Sequence, residues 1–98
     1  MPLLTSKDIE QLPTLYSSEN EKDPLCHIKL FTPDSSFTWF IIEVDDKDRV
    51  TCFGYVVGLE SELGYFNLDE IERVRGPLGL KVERDRGFTP TRLSELKK

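Results

Sequence analysis

Residue types that commonly carry chemistry in enzymes are scarce in this 98-residue chain. It has one histidine, His27, and two cysteines, Cys26 and Cys52. A nucleophilic site needs a Ser or Cys beside the imidazole, and a Cys/His zinc site needs more ligands than these three residues supply. The sequence contains no Cys-x-x-Cys pair and no Gly-x-Ser-x-Gly elbow. We therefore predict no catalytic residue, no metal site and no cofactor, and an enzyme only if a partner subunit completes its site.

The carboxylates form two patterns that resemble metal sites and fail at informative positions. Asp34 followed by Glu43 and Asp45 resembles a metal-dependent nuclease pattern, but position 45 lacks the lysine that such chemistry needs. A calcium loop that began at Asp45 would need glycine and glutamate at the positions held by Val50 and Val56. We interpret these carboxylates as turn residues.

Three segments rich in β-branched and aromatic residues must position any site, and short polar turns separate them. They are Leu25–Thr32, Phe37–Val44 and Val50–Val57, and Tyr65-Phe66 adds a short fourth strand. Short connections favour an antiparallel meander. The complete absence of alanine argues against a helical bundle. The predicted fold class is α+β, with a three- to four-stranded antiparallel meander sheet and short flanking helices.

Capping residues predict where the helices begin and end. Thr5 and Asp8 form a capping-box pattern, and Pro13 ends the helix that follows. Asn67 caps a second helix, which we expect to end at Arg75 with Gly76 in a left-handed conformation. We expect a short strand over residues 80–84 and a final helical turn over residues 91–96.

The strand register decides which side chains share a face. Pairing Ile28 with Ile42, and Ile42 with Cys52, gives one face without charge, which we predict to be the core. Both cysteines lie on that face two strands apart, too far for a disulfide, so we expect free buried thiols. On the other face His27 lies opposite Glu43, which would raise its pKa.

The second face carries four aromatic side chains, and three interpretations of it stay open. The residues are Phe31, Trp39, Phe53 and Tyr55. They form a second core layer under the C-terminal segment, a protein-binding patch, or a platform on which single-stranded nucleic acid stacks. We predict a partner-binding site here and expect a homodimer if the face is uncovered.

The net charge of -5 is unevenly distributed along the chain. Residues 1–42 carry -3, residues 43–72 carry -7 and residues 73–98 carry +5. The candidate acidic surface comprises Glu43, Asp45, Asp46, Asp48, Glu60 and Glu62, and the candidate basic surface comprises Arg73, Arg75, Arg84 and Arg86. The two regions either attract each other within the fold or contact partners; nucleic acid is the less favoured partner because acidic residues dilute the basic segment.

Length and composition limit the general class of the protein. We expect residues 1–98 to form a single domain. The two cysteines, the absence of a membrane-spanning segment and the absence of a signal peptide predict a reduced, cytoplasmic protein. A domain of this size has little room for a deep catalytic cavity.

Several strings of the chain resemble one bacterial family. They are His27-Ile-Lys-Leu-Phe-Thr-Pro33, Thr38-Trp-Phe40, Phe53-Gly-Tyr-Val-Val-Gly58, Leu63-Gly-Tyr-Phe-Asn-Leu-Asp-Glu70, Arg75-Gly76 and Glu83-Arg-Asp85. Together they resemble the family called domain of unknown function 2958 from about Leu3 to Leu96, and the string from Leu63 to Glu70 is the most specific. The resemblance implies a small protein of plasmids and conjugative elements, encoded near DNA-handling and anti-restriction genes, and it supplies no catalytic residue.

These observations lead to one preferred function and two alternatives. We predict a non-catalytic protein-interaction module, an accessory protein of a mobile genetic element that binds another protein as a monomer or homodimer and has no membrane partner. The first alternative is an acidic inhibitor of a DNA-binding host defence enzyme, of the anti-restriction or anti-CRISPR type. The second is single-stranded nucleic-acid binding through the aromatic sheet face.

Overall fold

Strand-forming residues between polar turns build an antiparallel sheet, which short helices flank. The computed structural model describes residues 3–97. In chain order the elements are α1 (Ser6–Gln11), β1 (Leu25–Cys26), β2 (Ile28–Phe31), β3 (Thr38–Val44), β4 (Thr51–Val57), β5 (Ser61–Asn67), α2 (Leu68–Arg73), β6 (Glu83–Arg84), β7 (Thr91–Arg92) and α3 (Leu93–Leu96). The predicted α+β class is confirmed. No helix within residues 3–97 has the length and apolar character needed to cross a membrane.

The main sheet has five strands in the order β5-β4-β3-β2-β6. Strands β2 to β5 form the predicted meander, and β5 is longer than the two residues expected for it. Strand β6 adds a fifth strand at the β2 edge, where Leu30 pairs with Arg84. The short strands β1 and β7 form a separate antiparallel pair. Strand β5 is therefore one edge of the main sheet.

The predicted register is wrong by one residue before a bulge in β3 and by two after it, where Cys52 pairs with Val44 instead of Ile42. Ile28 pairs with Ile41 instead of Ile42. A β-bulge at Ile42 then shifts the pairing, so that Ile41 lies opposite Gly54 and Glu43 lies opposite Phe53. Because β3 has apolar residues on both of its faces, the apolar pattern alone does not distinguish the two registers.

The observed register divides the apolar residues between two faces of the sheet. The front face, with Ile28, Leu30, Trp39, Ile41, Val44 and Cys52, packs under α2 and the N-terminal residues Leu4 and Leu12. The back face, with Phe40, Ile42, Phe53, Tyr55 and Val57, packs with Cys26 and under the C-terminal residues Phe88, Leu93 and Leu96. The core thus consists of two apolar layers, one on each side of the sheet.

The predicted beginnings of the helices are confirmed, and one predicted end is wrong. Thr5 and Asp8 form a reciprocal capping box at α1, and the Asn67 side chain accepts from two N–H groups at the beginning of α2. Helix α2 ends at Arg73, and Gly76 is not left-handed, since the left-handed glycine is Gly79, with φ of 81°. The Asp34 side chain lies against Gly76 and leaves no room for a Cβ there.

The two thiols are free and buried, as predicted. They lie on different faces, because Cys52 packs in the front layer and Cys26 in the back layer. Desolvation by burial raises the pKa of Cys26 to about 11 and that of Cys52 to about 12. Both side chains are therefore protonated core residues at neutral pH.

Candidate functional site

The outer edge of β5 offers a row of free backbone groups. The N–H of Leu68 donates to the Val50 carbonyl (2.8 Å) and that of Gly58 to the Glu60 carbonyl (3.0 Å). In an antiparallel ladder these two bonds fix which residues face the partner strand. The backbone N–H and C=O groups that point toward β4 belong to Glu62, Gly64 and Phe66. The backbone groups that point outward belong to Ser61, Leu63, Tyr65 and Asn67. Within residues 3–97, β5 has no strand on its outer side.

Apolar side chains beside this edge are exposed to solvent. Leu63 and Tyr65, which pair with back-face residues of β4, keep 43% and 57% of their surface exposed. The ring of Tyr65 lies 5.1 Å from that of Phe53, centroid to centroid. The C-terminal segment covers the centre of the back face but leaves these side chains open. An exposed apolar strip next to a free strand edge is typical of an interaction surface.

Tyr16 extends this strip from a neighbouring loop. Its side chain is 60% exposed, and a hydrogen bond between the two tyrosine hydroxyls raises the pKa of Tyr65. Tyr16 has a positive φ of 68°, which is unusual for a residue with a side chain. Its loop must therefore be held by specific contacts.

The buried carboxylate of Glu43 supplies those contacts. It accepts hydrogen bonds from the Tyr16 N–H (2.9 Å) and the Ser18 N–H (2.8 Å), and a third from the Ser18 hydroxyl. The predictions for Glu43 are thus wrong: with 4% of its surface exposed it belongs to no acidic surface, and it does not pair with His27. Burial lowers the pKa of His27 instead, because desolvation outweighs the charge of Glu21. The extra residue of the bulge turns Glu43 toward the loop of residues 14–18.

A cavity of about 440 Å³ opens near the beginning of β5. Its lining consists of Phe37, Val56, Gly58, Leu59, Glu60 and Glu62. The Phe37 ring stacks on Trp39, with ring centroids 6.1 Å apart, and packs closely against Gly58. The cavity therefore combines apolar walls with two exposed carboxylates.

The predicted aromatic patch does not form a single surface. Trp39 lies on the front face and Tyr55 on the back face, and both are buried. Phe31 and Phe53 lie on the back face and are half-buried. The prediction of one shared face is wrong because it depended on the incorrect register. Leu63, Tyr65 and Tyr16 were not predicted as site residues, and Tyr65 was expected only as part of a short fourth strand.

The predicted acidic surface is divided between two ends of the sheet. Asp45, Asp46 and Asp48 lie in the turn between β3 and β4, where Asp48 accepts hydrogen bonds from the N–H groups of Val50 and Thr51. Glu60 and Glu62 lie at the opposite end of β4. Seven strand residues separate the two groups by roughly 20 Å. The carboxylates are therefore not one continuous surface.

The predicted basic residues also differ in their surroundings. Arg73, Arg75 and Arg86 are exposed, and the Arg75 guanidinium donates to the carbonyls of Glu72 and Val74. Arg84 is half-buried and forms a 2.6 Å ion pair with Asp8. Arg84 is thus neutralised within the fold and does not belong to a free basic surface.

His27 lines a second cavity of about 290 Å³ but has no catalytic partner there. The hydroxyls of both serines in its lining are already bonded, Ser17 to the Thr14 carbonyl and Ser18 to Glu43, and Arg92 in the same cavity donates to the Asp23 carbonyl. In the described part of the chain no three His, Cys, Asp or Glu side chains come close enough to hold a metal ion.

A comparison with protein families assigns the chain. The profile of the family described as "Protein of unknown function (DUF2958)" matches residues 3–97. The chain belongs to this family. In this DUF2958 protein, the string from Leu63 to Glu70 forms most of β5 and the beginning of α2, which places the free edge within the matched residues. No curated protein and no solved structure matches the chain.

Proposed function

We propose that this DUF2958 protein is a non-catalytic protein-interaction module that binds an extended segment of a partner protein along the free edge of β5. The observation that carries the proposal is the seven-residue edge strand with exposed Leu63 and Tyr65. We further propose, from the family resemblance, that it acts in the cytoplasm as an accessory protein of a mobile genetic element.

Strand addition uses the backbone groups that β5 presents. A partner segment that pairs with β5 satisfies the outward N–H and C=O groups of Ser61, Leu63 and Tyr65, and its alternate side chains cover the apolar strip. Edge strands of natural proteins are usually short, charged or covered, because a long free edge recruits other strands. An exposed, half-apolar edge of this length is best explained by a binding role.

The charges around the edge favour a basic partner over a second copy of the chain. Glu60 and Glu62 flank the beginning of β5, and Asp69 and Glu70 follow its end, and all four are exposed. A second copy would bring the same carboxylates and another net charge of -5. Like charges across an interface oppose association, whereas a segment with Lys or Arg gains attraction. The proposed partner segment is therefore basic, with apolar residues at alternate positions.

The two alternative functions have weaker support. A carboxylate surface that mimics DNA needs charges spaced along one face, and here they lie at two ends of β4. A stacking platform for bases needs exposed aromatic rings on a basic face, and Trp39 and Tyr55 are buried on different faces.

The test is a selection of peptides against the whole chain. A phage library of random peptides about ten residues long is panned against the immobilised protein, and the selected peptides are synthesised and titrated. We expect binding that Leu63→Lys and Tyr65→Lys each weaken at least tenfold. The matched control is Leu78→Lys, since Leu78 is 79% exposed and its N–H donates to Asp34 in the connection between β2 and β3, and it should leave binding unchanged.

Amide hydrogen exchange identifies the binding mode. Peptide binding should slow the exchange of the outward amides of Leu63 and Tyr65 much more than that of Leu78. The proposal is wrong if no peptide is selected, if bound peptides protect amides outside β5, or if sedimentation shows that a second copy already occupies the edge.

A further inference from the structure

We infer that the cavity beside β5 receives a lysine or arginine side chain from the partner residue that lies opposite Glu62. The inference rests on the proposed function, because it needs a segment paired with β5. It specifies which type of side chain the partner segment carries opposite Glu62.

The face alternation of β5 determines where each partner side chain lies. Glu62 pairs with Val56 and Gly64 with Gly54 on the front face, whereas Leu63 pairs with Tyr55 and lies on the back face. Residues directly opposite each other on neighbouring strands share a face. The partner residue opposite Glu62 must therefore place its side chain on the front face, where Glu62 and Val56 line the cavity.

The cavity matches a long side chain with a cationic end. Phe37 and Val56 provide apolar surface, the almost fully exposed Leu59 lies at the rim, and Glu60 and Glu62 provide two carboxylates. Within residues 3–97 neither carboxylate forms an ion pair. Lysine and arginine pack their methylene stems on apolar surface and keep their charge at a polar rim. At about 440 Å³ the cavity has room for such a side chain.

The neighbouring positions complete a pattern for the partner segment. Opposite Leu63 and Tyr65, apolar side chains would cover the exposed strip on the back face. Opposite Gly64, a large side chain fits, because a Cβ built on Gly64 meets no atom within 4 Å. Read from the residue opposite Tyr65 to the residue opposite Glu62, the expected pattern is apolar, large, apolar, basic.

Charge reversal at the cavity tests the inference. The same peptide library is panned against the wild-type chain and against the double variant Glu60→Lys with Glu62→Lys. We expect Lys or Arg at the position opposite Glu62 in wild-type selections and Asp or Glu there in the variant selections. A selected basic peptide should lose about tenfold in affinity for the double variant, and a peptide with Glu at that position should regain it.

A matched control separates local from general electrostatics. Glu10→Lys changes the charge of an exposed residue of α1, which Asp8 joins to β6 at the opposite edge of the sheet, and should alter neither affinity nor selected pattern. Suppose that the double variant selects no preferred charge at the peptide position opposite Glu62, while Leu63→Lys still weakens binding. The cavity inference is then overturned and strand addition stands. If Leu63→Lys and Tyr65→Lys have no effect on binding, the proposed function fails, and the inference fails with it.

Discussion

Two of the acidic side chains, Glu43 and Asp8, have structural roles that their sequence context does not reveal. Glu43 is buried and holds the loop of residues 14–18 through three hydrogen bonds, so it orients Tyr16 beside the free edge. Asp8 joins α1 to β6 through Arg84 while it also caps the helix. In both cases the surrounding donors, and not the charge of the segment, determine what the carboxylate does.

The Asp8–Arg84 pair predicts a pH dependence of stability. Burial by itself would raise the pKa of Asp8, but hydrogen bonds from Arg84 and Thr5 and the charge of Arg84 lower it from 3.8 to about 2. A depressed folded-state pKa stabilises the protein above pH 4, and this contribution is lost as the pH falls toward 2. Arg84→Gln should therefore lower the free energy of unfolding by about 1–2 kcal/mol at pH 7 and by much less near pH 2.5.

Urea unfolding at several pH values between 2.5 and 7 measures this difference. Arg86→Gln is the control, because Arg86 is exposed and forms no ion pair with described residues. If Arg84→Gln lowers the free energy of unfolding by the same amount at every pH, the ion pair does not depress the Asp8 pKa.

At the scale of elements, the central hairpin is fixed by a bulge and a glycine. Gly54 and Gly64 lie opposite each other in β4 and β5, but their surroundings differ. A Cβ on Gly54 would collide with the carbonyl of Phe40, which lies in β3 close to the bulge. A Cβ on Gly64 would meet open space. The first glycine permits the close approach of β3 and β4, and the second leaves the front face of the edge strand bare.

This pair of glycines gives a matched test of the register. Gly54→Ala should lower the free energy of unfolding by about 3 kcal/mol, because the backbones of β3 and β4 must separate. Gly64→Ala should change it by less than about 1 kcal/mol, since nothing crowds the added methyl group. Thermal or urea unfolding of the two variants measures the difference. Equal effects would contradict the observed pairing of Ile41 with Gly54.

At the scale of the whole molecule, the C-terminal segment closes the back face. The Asp23 carboxylate accepts hydrogen bonds from the Ser94 N–H (2.8 Å) and hydroxyl (2.7 Å), and Leu25 pairs with Arg92. These contacts hold α3 so that Leu93 is buried against the sheet. Because Leu63 and Tyr65 keep about half of their surface exposed, the β5 side of the back face stays available to a partner.

Truncation of Leu93 should therefore destabilise the whole fold. Leu93→Ala removes a side chain that is 6% exposed and should cost about 2–4 kcal/mol. Leu78→Ala removes the same atoms from an exposed turn and should cost less than about 0.5 kcal/mol. Urea unfolding compares the two variants, and a negligible loss in Leu93→Ala would mean that the C-terminal segment does not contribute to the core.

Much of this protein follows from local sequence signals. Thr5 and Asn67 cap helices because their side chains satisfy N–H groups within the next three residues. The antiparallel meander follows from short turns between strand-forming segments. Each of these features depends on neighbours in the chain, which the sequence displays directly.

The site itself required the tertiary structure. Residues 40–42 are apolar whichever face they occupy, so the bulge at Ile42 and the faces of Trp39 and Tyr55 depend on contacts with distant segments. The exposure of Leu63 and Tyr65 depends on where the C-terminal segment ends over the sheet. Local periodicity specifies which residues form strands, but only the packing of both layers decides which strand edge and which aromatic side chains stay open to a partner.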